Sequence, residues 1–234
     1  MNSIKQNLEA ITQQIDSSIE KCGRSPKSVQ LLAVSKTKPV SAIEEAIKAG
    51  QRAFGENYVQ EGVDKVSVFK EHSLSKELEW HFIGPIQSNK TRPVAESFDW
   101  IHTIDRDKIA KRLNDQRPET MDNLQVLIQV NTSGETSKSG VEPKNVFALA
   151  AFIATQEKLT LRGLMSIPAN VSSYEQQLNA FQHLHQLHSQ LKEHYNTVDT
   201  LSMGMSGDME AAIESGSTMV RIGTAIFGTR DYQK

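Results

Sequence analysis

Residues 29–50 read VQLLAVSKTKPVSAIEEAIKAG, and the two halves ask for different secondary structures. VQLLAVSK is an apolar, partly β-branched run of strand length. The second half opens on Ser41 with Glu44 three residues later, a capping box, and closes on Gly50. A strand followed by a punctuated helix is half of a parallel βαβ unit. The alternation recurs at RAFGEN (52–57), EWHFIGP (79–85), WIHTID (100–105), QVLIQVN (125–131), LRGLMSI (161–167), TLSMGMS (200–206) and MVRIGTAIFG (219–228), which brings the strands to eight. Asp208 is placed to cap a helix that ends at Gly216.

Eight such units without a composition break or a Pro- or Gly-rich linker predict an α/β fold: one (β/α)8 barrel domain over residues 1–234, in preference to an open doubly wound sheet. Ahead of the first strand, Ile4, Leu8, Ile11, Ile15 and Ile19 form the stripe of an amphipathic helix. That extra N-terminal helix is expected to cover the barrel where a final helix would otherwise pack.

Lys and Arg number 26 against 28 Asp and Glu, so the net charge of −2 provides no field for nucleic acid or an anionic membrane, and any anion must be bound locally. Cys22 is the single cysteine, which rules out an intrachain disulfide and favours a reducing compartment; it reads as a partly buried thiol. VFALAAFIA, from Val146, is about half of the ~20 residues that a membrane span needs. A cytoplasmic monomer is the expectation.

In a barrel, chemistry collects where the strands end, with phosphate commonly held after the seventh and eighth. Alternation puts Leu32, Val34 and Lys36 on one face, so Lys36 projects into the mouth if the other two fill the interior. Lys38 reads as a solvated neighbour. A lysine in such a place is depressed in pKa by desolvation, and a neutral amine is a nucleophile. Taken alone, Lys36 reads equally well as a structural lysine paired with a carboxylate such as Glu56. An anion site nearby favours the chemical reading, and SMGMSGDMEAAI supplies one: Ser206 and Gly207 at a helix start, with Gly223 and Thr224 after the eighth strand. If Lys36 and this cradle hold the two ends of a pyridoxal phosphate (PLP), Arg221 is placed to face the ring nitrogen. A guanidinium only donates, so that nitrogen would stay unprotonated and the cofactor would be a weakened electron sink.

LLAVSKTKP, FGENYVQE, WHFIGPIQSNK, NTSGETSKSG, RGLMSIP, LSMGMSGDMEAAI and VRIGTAIFG, in this order over nearly the whole chain, resemble the blocks of the pyridoxal phosphate homeostasis protein family, related in fold to the N-terminal barrel of alanine racemase. The resemblance implies Lys36 as the Schiff-base lysine, Asn57 beside the cofactor, Ser206, Gly223 and Thr224 on its phosphate and Arg221 near its ring nitrogen. It also implies a cytosolic binder that balances the supply of PLP and passes it to apo-enzymes. The alternative is a racemase, which needs a second acid–base group opposite the lysine. In the racemases a tyrosine of an additional C-terminal domain has that role; here the chain ends at Lys234, soon after Gly228, and Tyr58 and Tyr232 are the nominees.

Other features carry less. NTSGETSKSG fails the nucleotide-binding loop pattern at Thr132 and Ser137, and reads as a mouth loop whose Lys138 contacts an anion. His183, His185, His188 and His194 read as a solvated face beside the stripe of Phe181, Leu184, Leu187 and Leu191, without the ligands of a metal site. His81 reads as a core histidine, Trp80 and Trp100 as packing residues.

Overall fold

Leu32 pairs in register with Arg221, and this parallel pairing of the first strand with the last closes the sheet on itself. In the computed structural model, residues 3–133, 139–168, 171 and 173–229 are described. Eight strands among them run in sequence order around the barrel: β1 Gln30–Val34, β2 Ala53–Glu56, β3 Glu79–Phe82, β4 Trp100–Ile104, β5 Leu124–Gln129, β6 Leu159–Met165, β7 Thr200–Ser202 and β8 Met219–Ile222. The helices are α1 Ile4–Lys21, α2 Val40–Lys48, α3 Val59–Phe69, α4 Thr91–Ala95, α5 Asp107–Gln116, α6 Val146–Ala154, α7 Tyr174–His194, α8 Met209–Glu214 and α9 Thr224–Phe227. All eight predicted runs form strands, which end earlier than expected because each run includes the loop that leaves the barrel. The eighth stops at Ile222, and its GTAIF portion turns into α9.

Alternation along each strand separates two cores. Leu32, Ala53 and Met219, with Ile83, fill part of the barrel interior, and Trp100, Leu127 and Met165 fill another part. Their strand neighbours Ala33, Phe54, Phe82 and Val220 face outward into the helix layer. Helix α1 buries Leu8, Ile11, Ile15 and Ile19, and packs against α2, α8 and α9, beside the seam where β8 meets β1. Burying each of these side chains contributes about 1.5–3 kcal/mol. No helix among the described residues is long and apolar enough to cross a membrane.

Helix punctuation departs from expectation in two places. Helix α2 starts at Val40 after Pro39, whose fixed φ suits the entry, so Ser41 already lies inside the first turn and makes no cap. Asp208 does sit at the N-cap of α8, but its carboxylate turns back to accept from the Met205 amide at 2.6 Å. Gly50 ends α2 at φ 99° as expected.

Candidate functional site

The mouth begins where β1 stops. Ser35 prolongs the β1–β2 pairing, its amide donating to Gly55 O at 3.0 Å, and alternation then carries the half-buried Lys36 to the side of Leu32 and Val34. Ser35 and Glu56 point the other way, into the helix layer. Glu56, the carboxylate offered above as a structural partner for Lys36, accepts on Oε1 from Lys65 Nζ at 2.8 Å and from Ser35 Oγ at 2.6 Å. Burial pushes its pKa up, against the pull of Lys65. Lys38 lies at the surface as expected, its ammonium donating to Thr229 O at 2.7 Å in an exposed contact.

Asn57 follows β2 as Lys36 follows β1. Its Oδ1 is buried without a hydrogen-bond partner, and so is Oγ of Ser166 beyond β6. Gly84, after β3, lies so close to Asn57 that a Cβ there would come within 2.2 Å of its carbonyl oxygen, so the approach requires glycine. Other buried side-chain atoms also lack a partner, among them Glu56 Oε2, His188 Nε2 and Ser215 Oγ, but Asn57 Oδ1 and Ser166 Oγ stand just beyond strand ends, where a polar ligand could supply the missing bond.

Arg221 is the most constrained of these residues. It is 5% exposed; Nη1 donates to Ser202 O and Ser202 Oγ, both at 2.8 Å, and Nη2 to Ser166 O at 2.9 Å. Burial lowers its pKa to about 10, which leaves it protonated at neutral pH. The network continues down the barrel. Ser202 Oγ is 3.0 Å from His102 Nδ1, and His102 Nε2 is 2.9 Å from His81 Nδ1. Burial holds both imidazoles below their ordinary pKa, so they are neutral. His81 stacks on Trp100 at 5.2 Å, and the guanidinium of Arg162 covers that indole at 4.7 Å. Trp80 packs outside the barrel against Phe54 and Phe69.

The four residues expected to hold an anion lie at the adjacent ends of β7 and β8. Ser206 and Gly207 are exposed in the turn before α8; Gly223 and Thr224 open α9, with a Gly223 Cβ falling 3.2 Å from Val34 O. That contact puts Gly223 beside β1, two residues before Lys36. Contrary to the expected pull of a positive helix end, α8 has six residues and α9 four, too short for a sizeable macrodipole, which leaves hydroxyls and local amides as the groups able to meet an anion there. A groove of about 480 Å³ between α1 and residues 206–211 reaches Ser206 and Gly207 from the outer side; neither Lys36 nor Arg221 lines it.

Sequence reasoning missed Ser166, Ser202, His102 and Lys65. Alternation from Trp100 marks His102 as inward-facing, and Ser202 faces inward as the register partner of Met219, whereas the i,i+4 spacing of Glu61 and Lys65 gives no sign of the contacts that Lys65 makes once α3 docks behind β1 and β2. The buried face of α7 is Phe181, Leu184, His188 and Leu191, so His188 belongs to the core and Leu187 is half-buried, because the stripe steps by four at that point. Burial lowers the His188 pKa to about 4. No cluster of metal-ligating residues occurs among the described residues. Lys138 and Tyr232 lie outside the described residues.

The closed barrel, with a lysine after its first strand and an arginine on its last, defines a class. Residues 6–231 match the alanine racemase N-terminal domain family. A Vibrio cholerae relative named pyridoxal phosphate homeostasis protein is 68% identical over 234 residues, covering 100% of this chain and 99% of its own. The structure of PipY from Synechococcus elongatus with PLP bound is 33% identical, has a TM-score of 0.82 and covers 97% of this chain and 100% of its own. Alanine racemase of Clostridium difficile, at 13% identity and a TM-score of 0.71 over 95% of this chain and 57% of its own, shares the fold alone. The chain belongs to the pyridoxal phosphate homeostasis protein family.

Proposed function

We propose that this chain, acting as one cytoplasmic, monomeric domain over residues 1–234, binds PLP on Lys36 and maintains its supply, passing it to apo-enzymes. The observation that carries the reading is the set of polar groups at adjoining strand ends: Lys36 after β1, the unpartnered Asn57 Oδ1 after β2 and the protonated Arg221 on β8. A PLP-bound relative covering the full barrel supports the choice of ligand. When bound, PLP supplies an aldehyde and an electron-withdrawing ring. Lys36 would supply the amine that holds the aldehyde end of PLP as a Schiff base. Ser206, Gly207, Gly223 and Thr224 take the phosphate through hydroxyls and backbone N–H groups. Asn57 supplies a side-chain contact. Arg221 would face the ring nitrogen as a donor, with three of its five N–H hydrogens already held by Ser166 and Ser202.

The rival is an amino acid racemase, favoured by the shared alanine racemase family. Racemisation requires an acid and a base on opposite faces of Cα. Tyr58, adjacent to Asn57, is 49% exposed, which suits a surface position better than a desolvated acid. Incubation with L-alanine and L-serine in deuterated water separates the two readings. The carrier exchanges the α-proton slowly or not at all, while restoring activity to an apo-enzyme supplied with the PLP-loaded protein. Fast α-deuteration with racemised product, lost in Lys36→Ala, would establish the racemase.

A further inference from the structure

The bend that carries Lys36 away from β1 is gripped from the helix side by three charged residues. Lys65, on α3, is 5% exposed, and its Nζ donates to Ser35 O at 2.8 Å, Glu56 Oε1 at 2.8 Å and Glu61 Oε1 at 2.6 Å. An ammonium has three hydrogens, and these three acceptors use them all. Ser35 Oγ donates to the same Glu56 oxygen at 2.6 Å, and Glu61 Oε1 also accepts from the Thr37 amide at 2.5 Å. Lys36 is therefore held through both neighbours: Ser35 by its carbonyl and hydroxyl, Thr37 by its N–H.

The grip acts on a strained backbone. Thr37 has φ 63°, a left-handed conformation that a β-branched residue avoids at a cost of order 1–3 kcal/mol. Glu61 accepts from that residue's own amide. The same cluster stands behind the second mouth residue, because Glu56 immediately precedes Asn57. Stability alone accounts poorly for the buried Lys65–Glu56 pair, since buried ion pairs are often no more stabilising than apolar side chains of similar volume. What an apolar side chain cannot supply is a set of directed bonds to the backbone on either side of one residue.

We propose that Lys65, oriented by Glu56 and Glu61, is a positioning residue that fixes the backbone around Lys36 and so the direction in which its amine is presented to the carbonyl of PLP. The inference rests on the reading of Lys36 as the amine that bonds PLP. Lys65 touches no ligand itself; it acts through Ser35 and, by way of Glu61, through Thr37.

The test compares two ligands on the same variants. PLP can bond to the amine; pyridoxine 5′-phosphate, with an alcohol in place of the aldehyde, can use only the phosphate and ring contacts. In Lys65→Met the rate of forming the borohydride-trapped adduct on Lys36 should fall about tenfold or more, because a displaced reacting group forfeits much of the advantage of orientation. Binding of pyridoxine 5′-phosphate should stay at the wild-type value. Glu61→Ala, at a more exposed position, should show the same pattern in smaller degree and carries the test if Lys65→Met does not fold. Wild-type adduct formation in the folded variants, or an equal loss for both ligands, would overturn the positioning role. The control is Lys36→Ala: an adduct that survives there refutes the Lys36 reading itself, whereas an adduct lost there but unaffected by the Lys65 and Glu61 variants refutes only the positioning role.

Discussion

Arg221 Nη1 lies 2.8 Å from Ser202 Oγ, and that hydroxyl is in turn 3.0 Å from His102 Nδ1, so the guanidinium at the mouth is joined to the imidazoles inside the barrel through one serine. Replacing Ser202 with Ala removes the shared hydroxyl while the Ser202 carbonyl still accepts from Arg221. The loss should be about 1–3 kcal/mol, the cost of leaving buried polar groups unpaired. Urea denaturation measures it, and unchanged stability would show that the two ends of the chain are satisfied independently.

Acid should weaken the fold through the buried histidines. His81, His102 and His188 are held below the ordinary value of 6.5 by burial, His188 at about 4. Between pH 6.5 and pH 4 the unfolded chain binds a proton at position 188 that the native chain refuses, so stability rises with pH across this window. The His188 contribution is complete above 6.5 and is lost as pH falls toward 4, with an upper magnitude of about 3 kcal/mol. Glu56 and Asp99, raised by burial, act in the opposite sense, which makes the difference between wild type and His188→Gln the cleaner readout. The variant should have a shallower pH dependence between 4 and 6.5; equal slopes would contradict the assignment.

The proposed phosphate contacts predict ligand selectivity. Changing Ser206 and Thr224 together to Ala should lower affinity for PLP and shrink its advantage over unphosphorylated pyridoxal, since each charge-assisted hydrogen bond contributes roughly 1.5–3 kcal/mol. Titration with both ligands checks this. A preserved preference for the phosphorylated form would move the anion site away from the ends of β7 and β8.

Helix α1 should belong to the cooperative fold. Ile15 is 4% exposed, and Ile15→Ala should cost about 2–5 kcal/mol in a single unfolding transition. A separate early transition for α1 would mean that it is an appendage.

What could be read in the sequence follows the physics of each residue. VQLLAVSK declares itself a strand because apolar side chains serve both the barrel interior and the helix layer, and Lys36 is marked by alternation from Leu32 and Val34. Arg221 is marked in the same way by Met219. Ser41 misled because a capping box is a local pattern, while the start of α2 is set by Pro39 and by the exit of β1. His188 misled because a polar residue within an amphipathic helix reads as solvated until the packing of α7 is known. Lys65 pairs with Glu61 at an i,i+4 spacing that is legible along the chain, but its bonds to Ser35 O and Glu56 reach residues 30 and 9 positions away, which no local spacing encodes.

The most direct measurement is borohydride reduction of the PLP-loaded protein followed by peptide mapping. One pyridoxyl adduct is expected, on Lys36, with the visible absorbance band lost in Lys36→Ala while circular dichroism shows the barrel still folded. An adduct on Lys38 or Lys65, or full adduct yield in Lys36→Ala, would contradict that expectation.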